Sequence, residues 1–224
     1  MINITQGVIY GLVGIVVGYL MLVWTDKLTE KKCLQKSMTK EGNAFFSTNY
    51  TKTTVCIVNA AAWAWAGLQA GNPLDALLFA ILFSLAAMIA IIDLRIHIIP
   101  NELVISILII GICFQLIHFG GRSLLIAVAC MFGIMIIFLT VAAIVGLDKV
   151  GAGDVKLAGA MGLVLGYPHI LTAVLVMCVA MLIFIIIGMT TFRLTLKSMF
   201  AYGPFMMIGL IVALISIVAN ISIL

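Results

Sequence analysis

The sequence predicts an all-α polytopic membrane protein of about eight transmembrane helices, one of them short (around 155–167), with the N-terminus outside. Three observations predict it. Hydrophobic residues make up 65% of the 224 and charged residues only 9%, with a mean hydropathy of +1.33. Apolar runs recur along the chain, most of them near the roughly 20 residues that carry a helix across a ~30 Å hydrocarbon core. When those runs are threaded alternately through a membrane, eleven of the twelve Lys and Arg residues fall on one side. A soluble domain carries about 45–50% apolar and about 25% charged residues, so this composition excludes a cytosolic enzyme, a disordered tail and a nucleic-acid-binding domain.

The elements follow in order. Residues 7–24 form the first run, and Met1 to Gln6 before it hold no Lys or Arg. A secretory signal needs a basic leading region, so this run is read as a retained span. The polar stretch 25–52 is the one long break. A second run, 53–70, ends at Gly71-Asn72-Pro73, a turn signal, and a third covers 74–92. Pro100-Asn101 precede a fourth at 103–119, and Gly120-Gly121 separate it from a fifth at 123–147. Then come the short run 155–167 and two further spans, 170–192 and 203–224. The organisation expected is a two-helix N-terminal region, 1–73, with a short basic loop (25–52), followed by a six-helix core, 74–224.

Lys27, Lys31, Lys32, Lys36, Lys40, Lys52, Arg95, Lys149, Lys156, Arg193 and Lys197 share one side, and Arg122 alone lies opposite. Short loops rich in Lys and Arg stay in the cytoplasm, which places that side inside and the N-terminus outside. Most of these lysines have a plain role in fixing topology near anionic headgroups. Five cysteines (Cys33, Cys56, Cys113, Cys130, Cys178) form no C-x-x-C, so neither a zinc site nor a disulfide framework is signalled. The three histidines are scattered: His97 falls on the cytoplasmic side, His118 and His169 on the outer one. Interfacial roles suit them better than metal ligation.

Eight acidic residues can be weighed one by one. Asp26, Glu30 and Glu41 belong to the mixed-charge stretch and are expected to be solvated. Asp75 and Glu102 sit in first helical turns, where a carboxylate suits the positive end of the helix dipole. Asp93 ends an uninterrupted apolar run, at the inner interface. Asp154 lies about 13 residues, or roughly 20 Å of helix, from the turn at Tyr167-Pro168-His169, too short for a full crossing. Acids at such depth are functional candidates. Two structural alternatives stand beside that reading: Asp93 as an interfacial stop, and Asp154 as the N-cap of the helix after Gly151-Ala152-Gly153. Ala158, Gly162 and Gly166, with Gly159 beside them, give that helix a face suited to close packing.

Two carboxylates brought together in a low-dielectric cleft do not both ionise readily; one keeps a proton. Such a pair can activate water as a general base and protonate a leaving amine, without a metal or a nucleophilic side chain. The sequence has no H-E-x-x-H and no G-x-S-x-G.

Gly151-Ala152-Gly153-Asp154-Val155-Lys156-Leu157, with Gly162 following, resembles the G-x-G-D-x-K-L motif of the type IV prepilin peptidases, which are GxGD aspartic proteases. Asp93 with Ile98-Ile99-Pro100-Asn101 resembles their aspartate followed by I-P-N or L-P-D. Tyr202-Gly203-Pro204-Phe205 resembles the F-G-P-F segment opening their last helix. All three occur in family order across 74–224. The resemblance implies an aspartic endopeptidase in the bacterial cytoplasmic membrane that removes the basic leader from type IV prepilin or pseudopilin precursors at the cytoplasmic face. It implies Asp93 and Asp154 as the catalytic pair. Gly151, Gly153, Lys156, Pro100, Asn101, Gly203 and Pro204 would support them. Lys156 can also be read as snorkelling to the interface, Pro204 as a first-turn proline, and Asp148, outside the motif, as a partner of Lys149 or Lys156.

Many bacterial members also N-methylate the new terminus with S-adenosylmethionine, and those usually carry two C-x-x-C pairs between the first two helices. Here that stretch is short and holds only Cys33, and no Gly-rich nucleotide loop is present. No cofactor is expected for the peptidase activity; S-adenosylmethionine enters only if methylation occurs. Membrane lipid and a pilin-like precursor are the expected partners, with no nucleic acid. Two other readings remain open at this point: a proton- or cation-coupled transporter using the same acids as a relay, and a GxGD protease acting on other membrane proteins.

Overall fold

The computed structural model describes residues 4–35, 49–145, 151–191 and 201–219. Eight helices fill them: α1 (Ile4–Gln35), α2 (Asn49–Gln69), α3 (Pro73–Ile96), α4 (Asn101–His118), α5 (Gly121–Val145), α6 (Ala152–Leu165), α7 (His169–Thr190) and α8 (Gly203–Val218). Strands are absent among the described residues. The all-helical polytopic fold class is therefore correct. Five helices (α1, α3, α4, α5 and α7) are both long and apolar enough to cross a membrane. Three expected spans fall short of that description. Thr51, Lys52, Thr53, Thr54 and Asn59 dilute α2, α6 has 14 residues, and α8 is described over 16.

The first helix departs most from expectation. The sequence predicts a break at Thr25, yet α1 continues unbroken to Gln35, so residues 25–35 are helix rather than loop. The reason is a buried face that continues from Gly14, Gly18 and Met21. Thr25, Thr29 and Cys33 recur every fourth residue and are buried. Each threonine hydroxyl donates to the carbonyl one turn back, at 2.8 Å to Met21 and 2.7 Å to Thr25, so burial orphans no donor. Lys36, Lys40, Glu41, Asp148, Lys149, Arg193 and Lys197 lie outside the described residues.

Packing sorts the helices into inner and outer ones. In α3, 61% of the apolar window is buried inside the protein, against 6% in α5, so α3 is central and α5 turns most of its surface outward. Helix α6 is buried along nearly its whole length from Val155 to Leu165. Its Gly162 lies so close to α5 that an added Cβ would stand 2.9 Å from the Cys130 carbonyl oxygen. That is the close approach its small-residue face permits.

Helix α1 packs on α2 through glycines, and a buried polar chain joins this pair to α3. Asn59 donates to the Gly14 carbonyl at 2.9 Å, Trp63 to the Ser84 hydroxyl at 3.0 Å, and Ser84 to Asn59 at 2.8 Å. Away from water each of these groups needs such a partner.

Successive helices run in opposite directions, which gathers the termini into two ends. One holds Asp75 paired with His118 at 3.2 Å, and Phe119 beside His169 with ring centroids 5.9 Å apart. The other holds the described basic residues other than Arg122. Gly151–Lys156, Pro100-Asn101 and Gly203-Pro204 lie at this basic end.

Candidate active site

Asp93 occupies the last turn of α3. His97 stops that helix in the left-handed conformation (φ 50°), with its N–H on the Asp93 carbonyl at 2.9 Å. Ile98 and Ile99 then lead to Pro100, the N-cap of α4. The connector is so short that Asp93 and the Pro100-Asn101 pair are held close to one another.

The Asp93 side chain is only 4% exposed. A carboxylate withdrawn from water needs hydrogen-bond donors. Gly203 supplies one, its N–H donating to Asp93 Oδ2 at 2.8 Å. Gly203 opens α8, where the first amides have no partner within their own helix and the dipole favours negative charge. A Cβ at Gly203 would stand 2.7 Å from that same oxygen, so glycine is required for the approach. Pro204 follows in the first turn, where its missing N–H costs nothing.

Asp154 is not the N-cap of α6. Gly151 is, and Asp154 sits three positions on, reaching back to accept the Gly151 N–H at 3.0 Å. This is the acid half of a capping box. It holds the carboxylate at the start of the helix, half-buried. Capping therefore orients Asp154.

The two motifs also touch through their supporting residues. A Cβ on Gly153 would lie 3.1 Å from the Ile99 Cβ, so the connector rests on the first turn of α6. Lys156 Nζ donates to Asn101 Oδ1 at 3.2 Å, an inter-helix bond. Asp93, Pro100, Asn101, Gly151, Gly153, Asp154, Lys156, Gly203 and Pro204 thus converge on one end of the bundle.

Several contributors escaped sequence reasoning. Asp26, expected to be solvated, accepts from Arg95 at 2.5 Å and pairs with Lys52 at 3.6 Å. Glu102, read only as a first-turn acid, also takes Lys32 at 3.1 Å and Lys31 at 3.7 Å. The fourfold spacing of Thr25, Thr29 and Cys33 was the signal that a helix ran through this stretch. At the other end of α6, buried Gln115 donates to the Val164 carbonyl at 2.8 Å. That carbonyl belongs to the last turn, where no intrahelical donor remains. A lone glutamine in an apolar run gives no hint of such a target.

Fold and site together define a multi-pass membrane protein with two aspartates gathered at the basic end of its helices. Residues 80–186 match the model of the type IV leader peptidase family, and this match supports a prepilin peptidase-type family for the protein and hence a peptidase. The matched stretch contains Asp93, Pro100, Asn101 and Gly151 to Lys156, while Gly203 and Pro204 lie beyond it. No curated protein and no solved structure matches the chain.

Proposed function

We propose that this protein is a membrane-embedded aspartic endopeptidase that removes the basic leader from type IV prepilin or pseudopilin precursors at the cytoplasmic face. Asp93 and Asp154 are its catalytic pair. The observation that carries the reading is the packing of the first turn of α6, which holds Asp154, on the connector that follows Asp93, Gly153 lying against Ile99 and Lys156 donating to Asn101 at 3.2 Å. The match of residues 80–186 to the type IV leader peptidase family supports it.

In this mechanism one carboxyl of the pair is ionised and the other protonated. The ionised one takes a proton from water as the water oxygen bonds to the scissile carbonyl carbon. The protonated one hydrogen-bonds the carbonyl oxygen and stabilises the charge that develops there. Collapse of the tetrahedral intermediate breaks the C–N bond, and a carboxyl proton passes to the leaving amine. Hydrolysis on this plan runs on the acid pair and water. Methyl transfer to the new terminus would need S-adenosylmethionine, and the stretch that carries two cysteine pairs in bifunctional relatives holds only Cys33, buried on α1. A bacterial cytoplasmic membrane with the N-terminus outside completes the proposal, since it sets the acid pair at the inner face.

The test is mass spectrometry of the N-terminus of a co-expressed prepilin, which reports cleavage, its position and any added methyl group. Asp93→Asn and Asp154→Asn are each expected to lower cleavage by about 100-fold or more while leaving expression unchanged. Cleavage at the normal rate by either variant would overturn the assignment of the pair.

A further inference from the structure

We infer that the polar tail of α1, residues 25–35, is a brace that positions the aspartate pair, acting through the Asp26–Arg95 and Lys32–Glu102 ion pairs on the connector from Asp93 to α4. This rests on the peptidase reading of Asp93 and Asp154.

Three features separate the brace from an ordinary run of surface ion pairs, which contribute little. First, the tail is seated. Thr25, Thr29 and Cys33 are 0%, 5% and 6% exposed, and a helix of 32 residues extends well past the ~20 that a crossing needs. Second, the cation of each pair is largely withdrawn from solvent, Lys32 being 17% exposed, while the acids Asp26 and Glu102 stay 46% and 43% exposed. The Arg95 side chain is 10% exposed, and its guanidinium meets Asp26 Oδ1 at 2.5 Å. Third, the grips fall where the site is built. Arg95 stands two residues beyond Asp93 on α3. Glu102 adjoins Asn101, which accepts from Lys156, itself two residues beyond Asp154. Both ends of the connector are therefore tied to one helix, and its middle, Ile99, rests on Gly153. Movement of the connector would disturb both carboxylates together. Lys52, pairing with Asp26 at 3.6 Å, joins the start of α2 to the same arrangement.

Asp26, Arg95, Lys32 and Glu102 are positioning residues, since none is argued to touch substrate. The expected signature is a loss in turnover rather than in substrate binding, because displacement of reacting groups by about 1 Å can cost about 100-fold. Two measurements on the full chain in detergent keep the brace and the enzyme separable. Hydrogen exchange by mass spectrometry reads segments 97–102 and 151–156 in the wild type, Asp26→Asn, Arg95→Met and the exchanged pair Asp26→Arg with Arg95→Asp. Cleavage kinetics on a pilin precursor read the same four proteins, with Glu30→Gln as a control on the exposed side of the tail.

The brace predicts that each single variant exchanges faster in both segments and loses about tenfold in kcat, with KM changed less than about twofold. The exchanged pair should recover both readouts, and Glu30→Gln should match the wild type. Unchanged exchange at 151–156 in the single variants would overturn the brace whether or not the protein cleaves pilins. So would a rise in KM with kcat unaltered, which would make the tail a substrate contact. The exchange pattern in the variants, together with a wild type that cleaves no precursor, would leave the brace standing as a positioning device and overturn the peptidase reading. Should Arg95→Met fail to fold, Asp26→Asn and the exchanged pair decide the matter alone.

Discussion

The backbone N–H of Gly203 donates to the buried carboxylate of Asp93 at 2.8 Å, across 110 residues of sequence. It makes the last described helix part of the candidate site, because the start of α8 supplies both the donor and the positive end of a helix dipole. A methyl group at Gly203 would stand 2.7 Å from the acceptor oxygen. Gly203→Ala is accordingly expected to lower kcat at least about tenfold, equivalent to about 1.4 kcal/mol of barrier, while the protein still folds. Cleavage kinetics and a melting curve on the same preparation check this, and a variant with unchanged kcat would count against the hydrogen bond's role.

The pH dependence follows from a shared proton. If Asp93 and Asp154 work as acid and base, kcat/KM rises as the general base loses its proton and falls again once the general acid has lost its own. A bell is therefore expected, and its two limbs belong to the pair rather than to either residue. Replacing either aspartate by asparagine leaves too little rate for a second limb to be read. A profile that falls on neither the acid nor the alkaline side of its maximum would contradict acid–base chemistry by the pair.

Gln115 offers a test in which stability and activity part company. Gln115→Leu keeps the bulk but leaves the Val164 carbonyl without its donor, at a cost of about 1–3 kcal/mol. The site of damage is the far end of α6 from Asp154. A lower Tm in detergent is expected, with kcat on a pilin precursor within about twofold of wild type well below that temperature.

The Lys156–Asn101 bond is exposed at both ends, so its removal should cost little stability. Lys156→Met is expected to shift Tm by no more than a few degrees, because exposed polar pairs contribute about 1 kcal/mol or less. Its effect should appear instead as a fall of a few-fold in kcat, since the bond registers α6 against the connector. Asn101→Ala should match it, and the double variant should be no worse than either single one. Additive losses would show that the two residues act separately.

Much of the fold was legible because a bilayer simplifies the problem. Apolar runs must become helices, since no backbone N–H or C=O can be left unpaired in hydrocarbon. Helix boundaries were read within a few residues for most elements. The exception is the tail of α1, where hydropathy reported a polar stretch and missed the fourfold spacing of Thr25, Thr29 and Cys33. Polarity was a poor guide there because threonines can be buried when their hydroxyls bond back to the preceding turn.

By itself the sequence determined a helical membrane protein with scarce charge, and it set Asp93 and Asp154 apart as acids with no comfortable structural role. Their neighbours Gly151, Gly153, Pro100 and Asn101 were marked by motif as well. Only the tertiary structure decided how these residues are used: that Gly203 donates to Asp93, that Asp154 is oriented from Gly151, that Lys156 reaches Asn101, and that Asp26 and Glu102 hold α1 against the connector. The physical reason is range. Burial and helix formation follow from local composition and period, whereas a hydrogen bond or ion pair between helices depends on which faces meet, and that is settled by the packing of the whole bundle.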